Sequence, residues 1–376
     1  MKQPDNKKIC VLTSVHSALD VRIFAKEALT LSKNGYDVSI IGQNNNDEIR
    51  DGIKIIALPK PKTRLNRFFS TLKILRLAVR ENAKIYHFHD FELIPAALAL
   101  KVFGKKVIYD IHEDNSDTIL FKYWLKKFLR RPVSFLIRLI EMASCNFFDI
   151  MIVAPPGIKE RFPHKKTILV INYPTQDDID KIKHVHNKAA AGPFKFIYQG
   201  AIMPVKGIEN IIAAVNLLKH DKRIELDLYG KIEPSAYVDE LRKKYNFDRI
   251  SYLGFLNRDK LLRILEEYDA GLVIFDAISN YMNTLPIKLF EYMAAGLPVI
   301  VSDFPIWREI IDEAKCGICV KPNDPAMAAD AMRHMAAHPQ ECMQMGINGR
   351  KAVEEKYNWK KEGEKLLKVY DELTRQ

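Results

Sequence analysis

The chain has 376 residues, 48% apolar and 28% charged, enough for two to three folded domains and unlike a disordered or collagen-like polymer. Its longest apolar runs, Ile150 to Pro156 and Leu297 to Val301, fall short of the ~18 residues a membrane span needs, and Ile9 to Leu12 is too brief for the core of a secretory signal, so a cytoplasmic location is expected. The five cysteines imply no disulfide framework, and 58 basic against 47 acidic residues, a net charge of +11, favour anionic partners.

In chain order, Ile9 to Leu12 reads as a buried strand, Phe24 to Lys33 as an amphipathic helix stopped by Asn34-Gly35, and Val38 to Gly42 as a second strand. A strand at Ile85 to Phe88, a helix over Leu93 to Phe103 and a strand at Lys106 to Tyr109 repeat the alternation. The apolar run Asp149 to Val153 fits a strand buried on both faces, as in a parallel sheet. The polar, small-residue stretch 176–192 reads as a linker closing an N-terminal domain, 1–175. Strands then recur at Phe194 to Tyr198, Ile224 to Tyr229, Ile250 to Leu253, Gly271 to Phe275 and Pro298 to Val301, with helices between them, over a second domain, 193–358. Residues 359–376 read as a helix returning to the first domain. Two such parallel α/β domains are expected to hold ligands in a cleft at the carboxyl ends of their strands.

Two segments carry the most chemical information. In Leu285-Pro286-Ile287-Lys288-Leu289-Phe290-Glu291, Pro286 stands where a helix starts and Gly296 where it stops. Lys288 then falls in the first turn, where unpaired N–H groups and a full charge make an anion site, and Glu291 one turn later can accept hydrogen bonds from ribose hydroxyls. The plainer alternative is a solvated pair three residues apart. In Tyr198-Gln199-Gly200-Ala201, a strand ends at a glycine that allows close approach of a ligand, and Lys206-Gly207 precedes a helix. Here the alternative is an ordinary turn glycine beside an exposed lysine.

Together with the run Phe290 to Ile300, these segments resemble the donor half of the retaining glycosyltransferases of family 4. The resemblance covers nearly the whole chain. In its N-terminal half it rests on His16 to Glu27, His87-Phe88-His89-Asp90 and Tyr109-Asp110-Ile111-His112-Glu113, which look like a capsule and exopolysaccharide branch of that family. It implies a GT-B fold, two Rossmann-like domains facing a cleft, and transfer of a sugar with retention and without a metal or other cofactor. The substrates it implies are a nucleotide-sugar, with UDP the expected nucleotide, and a saccharide or lipid-linked saccharide acceptor.

Position by position, the resemblance places Lys206 on the donor diphosphate and Glu291 on the ribose, with Gln199, Gly200 and Lys288 beside them. The family's first motif glutamate falls at Asn283, which is uncharged, and its frequent arginine at Ala201, so Lys288 is expected to supply part of the missing charge. His112 matches the histidine near the transferred sugar, although a histidine at a strand end is also commonly structural. His112, Lys206 and Lys288 are therefore the expected catalytic groups. His16, Asp20, Arg22, His89 and Asp90 are the expected acceptor-binding groups, with a surface ion pair as the alternative for Asp20 and Arg22.

His87 and His89 share a face, but no third or fourth ligand stands at a credible spacing, so no metal site is expected there, nor at the single Cys316-x-x-Cys319. Residues 60–80 hold seven cations and residues 121–140 six, both without an acid and interleaved with Phe, Leu and Ile. That pattern suits an anionic membrane surface or else helices with cationic outer faces. No nucleic-acid recognition module is visible. A UDP-sugar epimerase of the same fold, using Glu113 and Asp114, and a non-catalytic sugar-nucleotide-binding protein are the two rival readings.

Overall fold

The computed structural model describes residues 7–61, 64–120, 125–159, 161–162, 166–182, 192–221 and 223–375, and of 64–68, 279 and 280 it describes the backbone without the side chains. The chain divides into two compact units, Met1–Asn172 with Trp359–Gln376, and Tyr173–Asn358.

The first unit is built on eight strands: β1 (Lys8–Ser17), β2 (Asp37–Gln43), β3 (Glu48–Arg50), β4 (Ile53–Leu58), β5 (Ile85–Phe88), β6 (Lys106–Ile111), β7 (Ile150–Val153) and β8 (Thr167–Leu169). Their order in the sheet is β3-β4-β2-β1-β5-β6-β7-β8, parallel throughout except for the β3–β4 edge. Side chains alternate across β1, so Ile9 and Val11 enter one core layer with Leu366, Val369 and Tyr370 of the C-terminal helix Trp359–Arg375. Cys10 and Leu12 enter the opposite layer with Ile74, Ala78 and Leu100. A sheet covered on both faces explains why its central strands read as unbroken apolar runs. The sequence reading had not separated β3, β4 and β8, which are short or lie near the edges, where the apolar signal thins.

The second unit has six parallel strands: β9 (Phe194–Gln199), β10 (Ile224–Tyr229), β11 (Ile250–Gly254), β12 (Ala270–Val273), β13 (Val299–Ser302) and β14 (Gly317–Val320), in the order β11-β10-β9-β12-β13-β14. The strand order reverses direction at β1/β5 in the first unit and at β9/β12 in the second, the positions where open α/β sheets leave a crevice at their carboxyl ends.

Two local expectations are corrected. Part of the stretch read as linker is a helix, Gln176–Lys181, fixed by a reciprocal capping box between Thr175 and Asp178, and it belongs to the second unit. The rest of that stretch, 183–191, lies outside the described residues. The segment after β1 is not a plain amphipathic helix: Val21–Ala28 is wound as a π-helix that runs into the α-helix Leu29–Lys33, and it turns Arg22, Lys26 and Glu27 inward.

Close backbone approach in the second unit depends on Gly271. A Cβ there would stand 2.2 Å from the Tyr292 ring, and Tyr292 in turn accepts a hydrogen bond from the Gln199 N–H (2.9 Å) at the end of β9. Gly271→Ala is therefore expected to destabilise the protein by about 1–3 kcal/mol, read from the shift of the urea denaturation midpoint. An unchanged midpoint would show that the ring yields freely.

Candidate functional site

In the second unit the candidate residues gather at the end of β9 and the start of the helix Ile287–Ala294. Gly200 has φ +130°, and a Cβ on it would stand 3.0 Å from Lys288 Nζ, so the missing side chain is what lets the ammonium lie on the strand end. Gly207 (φ +68°) opens the next helix, Ile208–Leu217, and a Cβ there would lie 2.3 Å from the Ile274 carbonyl oxygen. Lys288 Nζ sits 3.7 Å from the Tyr198 ring centroid and 5.0 Å from that of Phe275, while Lys206 Nζ is 4.0 Å from Tyr281 and 4.6 Å from Phe275. Two ammonium groups thus share the Phe275 ring. Burial, and then the charge of Lys206, hold the Lys288 ammonium well below the usual lysine range against the opposing pull of Glu291.

Glu291 is 4% exposed and takes a hydrogen bond from Gln199 Nε2 and an ion pair from Arg258 Nη1 at 2.5 Å. Arg258 also reaches Asp178 through Nε at 3.1 Å, and its buried Nη2 has no hydrogen-bond partner, nor does Gln199 Oε1. A polar cluster with two unsatisfied buried atoms beside a pair of lysines is suited to a ligand carrying hydroxyls and phosphate. Sequence reasoning missed Arg258. Its one signal was a cation opening the helix after β11, which is a common arrangement and carries little information. Asn283 ends the short helix Ser279–Met282 and is exposed. The loop that follows it is anchored by Trp307, whose indole N–H donates to Thr284 O at 2.7 Å.

In the first unit, the ends of β1, β5 and β6 bring together His16, His87, His89, Asp90, Asp110 and His112, and the π-helix adds Arg22 and Glu27. Asp20 caps that helix, accepting from the N–H groups of Arg22 (2.8 Å) and Ile23 (3.3 Å). Arg22 is not half of a surface ion pair. It is 2% exposed, donates to Asp110 Oδ2 and Oδ1 at 3.0 and 3.1 Å and to Val170 O at 3.1 Å, and stands 2.9 Å from Glu27 Oε1. With its guanidinium so engaged, Arg22 supports the site from within in place of the expected contact with an acceptor.

Asp90 is also buried, and its Oδ2 gathers the loop after β1 by accepting from Thr13 Oγ1 (2.7 Å), Ser14 N (2.6 Å) and Val15 N (3.1 Å). His89 is buried with Nδ1 2.8 Å from His112 Nε2. His16 and His112 are the partly exposed members, their rings 5.5 Å apart. Burial, opposed in part by Asp110, holds His87 below the usual imidazole range, and burial with the neighbouring imidazoles holds His89 well below it. Burial and the Asp110 charge push Glu27 well up, whereas Arg22 and His112 overcome burial to hold Asp110 well down.

The expectation that His87 and His89 lack further metal-ligating neighbours is overturned. Folding brings Glu27 and Asp110 to them from elements far away in sequence, with one ligand atom of each of the four within 4.8 Å of the others. By contrast Cys316 and Cys319 are free thiols, pushed up to about 12 and about 11 chiefly by burial, and they join no such group among the described residues.

A family model described as Glycosyl transferases group 1 matches residues 178–352, and one described as Glycosyltransferase Family 4 matches residues 22–167. Sucrose-phosphate synthase from Thermosynechococcus elongatus superposes with a TM-score of 0.75 over 98% of this chain and 99% of its own, at 19% identity. The chain is a glycosyltransferase with the GT-B fold. Anabaena HepE in complex with UDP-glucose matches with a TM-score of 0.69 over 97% of this glycosyltransferase and 99% of that chain, at 14% identity.

Among curated relatives, the MMP alpha-(1->4)-mannosyltransferase of Mycolicibacterium hassiacum is 23% identical over 46% of this chain and 41% of its own length. A glycogen synthase of Mycobacterium tuberculosis is 21% identical over 90% of this chain and 87% of its own. The first match thus spans less than half of that relative, the second most of it.

If the two lysines of this glycosyltransferase form its anion site, pyrophosphate affinity should fall as the rising pH removes the Lys288 proton, below the range in which an ordinary lysine loses its charge. Lys288→Arg, which keeps its charge, should flatten that profile. Isothermal titration calorimetry across the pH range checks both, and a flat profile in the parent would count against the site.

Proposed function

We propose that this glycosyltransferase is a retaining enzyme, with no metal at the leaving diphosphate, that moves a sugar from a UDP-sugar to a hydroxyl of a saccharide carried on a lipid, in the synthesis of a surface polysaccharide. The observation that carries the reading is the pair of ammonium groups of Lys206 and Lys288 over the Phe275 ring, one helical turn from the buried Glu291. Among structurally similar proteins, HepE is in complex with UDP-glucose and an E. coli trehalose-6-phosphate protein is bound with UDP-2-fluoro glucose, which supports a UDP-sugar as donor.

Glycosyl transfer from such a donor needs charge stabilisation of the departing diphosphate more than it needs a strong base. Lys206, Lys288 and the N–H groups at the start of the helix Ile287–Ala294 are assigned that task, and Glu291 and Gln199 the ribose. With retention, the leaving phosphate would take the acceptor proton on the same face of the sugar. His112 serves the transferring sugar, and His16 with the loop held by Asp90 the acceptor. An epimerase is less well supported, because Asp114 is already committed to Arg161, Ser116 Oγ (2.9 Å) and the Asp117 N–H (2.9 Å).

The membrane part of the proposal rests on the helix Lys127–Cys145. Its apolar residues Phe128, Phe135, Leu136 and Leu139 are exposed alongside Lys127, Arg131 and Arg138. In the helix Arg64–Glu81, Ile74 and Ala78 pack into the core while Phe69 and Leu72 stay exposed. Lys62, Phe121, Lys122 and Trp124 of the two basic stretches, and the side chains of Arg64, Arg67 and Phe68, lie outside the described residues. No helix among the described residues is long and apolar enough to cross a membrane. A peripheral position on the inner face of an anionic membrane is the location we propose.

A donor screen with UDP-, GDP- and dTDP-sugars, followed by mass analysis of the product on a lipid-linked acceptor, tests the assignment. Glu291→Ala and Lys206→Ala should each lower kcat/KM by about 2–4 kcal/mol in transition-state terms, and parental turnover in both would remove the donor site. His112→Ala should lower kcat while UDP affinity stays near the parental value. Replacing Phe128, Phe135 and Leu139 together by Ser should reduce co-sedimentation with anionic vesicles and turnover of the lipid acceptor. Turnover of a short soluble acceptor should be spared. Equal vesicle binding by parent and variant would rule out docking through this helix.

A further inference from the structure

We infer that Glu27, His87, His89 and Asp110 form a buried binding site for one divalent transition-metal ion, with zinc as the fitting probe. The imidazoles of His87 and His89 stack with centroids 4.7 Å apart. Through Nδ1, His87 meets the Tyr370 hydroxyl at 2.7 Å, and His89 meets His112 Nε2 at 2.8 Å with Asp110 Oδ2 3.6 Å from the same nitrogen. That outer contact is how metal-ligating histidines are usually oriented, with the opposite nitrogen left to face the ion.

Both opposite nitrogens, His87 Nε2 and His89 Nε2, are buried and have no hydrogen-bond partner, nor does Glu27 Oε2, while Glu27 Oε1 stands 2.9 Å from Arg22 Nε. His89 Nε2 lies 3.6 Å and His87 Nε2 3.9 Å from Glu27 Oε2, and His87 Nε2 lies 3.6 Å from Asp110 Oδ2. Such separations exceed a hydrogen bond. They are near the spacing of neighbouring ligands around a four-coordinate ion, since bonds of ~2.0–2.2 Å put those ligands about 3.3–3.6 Å apart.

The charge of the cluster is unbalanced as it stands. Two carboxylates and the Arg22 guanidinium leave one negative charge in excess, on side chains with essentially no solvent contact. A proton on Glu27 would cancel the charge, but one proton cannot satisfy two imidazole nitrogens and a carboxylate oxygen at once. A cation accepts all of these lone pairs together. Two imidazoles with two carboxylates suit zinc and the neighbouring divalent ions better than magnesium or calcium. The ion would not touch the leaving group. It would fix the His89 ring, and through it the partly exposed His112, so that His89 acts as a positioning residue.

The test uses the full chain, free of any affinity tag, isolated from zinc-supplemented cells and passed over chelating resin. About one equivalent of zinc per chain should remain by mass spectrometry, and cobalt loaded into stripped protein should show the strong visible bands of a four-coordinate ion. Glu27→Gln and His89→Gln should abolish retention. Tyr370→Phe keeps all four ligands and loses only the outer contact, so it should weaken zinc about 10- to 100-fold against a chromophoric competitor and stay informative even where the ligand variants fail to fold. A triple alanine variant of the second, exposed group, His334, His338 and Glu341, should retain zinc as the parent does. Less than about 0.1 equivalent of zinc in both isolated and reconstituted protein would overturn the site, as would zinc lost with the exposed group and kept in His89→Gln.

Discussion

An arginine held between two carboxylates stands at the carboxyl ends of the strands in each unit: Arg22 between Glu27 and Asp110, Arg258 between Asp178 and Glu291. Charges withdrawn from water are tolerated only when their partners are in place, because a buried ion left alone costs several kcal/mol. Each arginine therefore ties together elements distant in sequence. Arg22 joins the helix after β1 to the end of β6 and, through Val170, to the segment after β8. Arg258 joins the capped helix Gln176–Lys181 to the helix carrying Glu291.

The two clusters differ in their balance of charge. In the second unit the surplus is positive and lies on aromatic faces, with Lys206 and Lys288 both beside the Phe275 ring. In the first unit the surplus is negative, and His87 Nε2, His89 Nε2 and Glu27 Oε2 have no hydrogen-bond partner. The fold repeats, while the chemistry at its strand ends is opposite in sign.

Strands β1, β2, β5, β6 and β7 and five of the six strands in the second unit were readable because burial on both faces demands unbroken apolar runs between turn residues. Lys206, Lys288 and Glu291 were readable because each stands at a fixed offset from a glycine or proline that marks a strand end or a helix start. Glu27 and Arg258 were not. Their importance depends on which distant side chains meet them, and nothing in the local pattern of Lys26-Glu27-Ala28 or Asn257-Arg258-Asp259 distinguishes an inward charge from a solvated one. The winding of Val21–Ala28 was hidden for the same reason: an ordinary amphipathic reading places charges outward, whereas here the wider turn delivers Arg22, Lys26 and Glu27 to the interior.

The helix Trp359–Arg375 closes the core of the first unit and hands Tyr370 to His87, yet it follows the whole second unit in the chain. On the ribosome, residues 1–172 therefore emerge with one face of their sheet covered only in part, by the helical segment after β1, and the rest stays open while nearly two hundred further residues are made. The second unit, continuous in sequence, can finish folding first. The histidine cluster of the first unit gains its outer partner only once Tyr370 has been made, and a product broken off before Trp359 would leave the apolar residues under that helix open to chaperones.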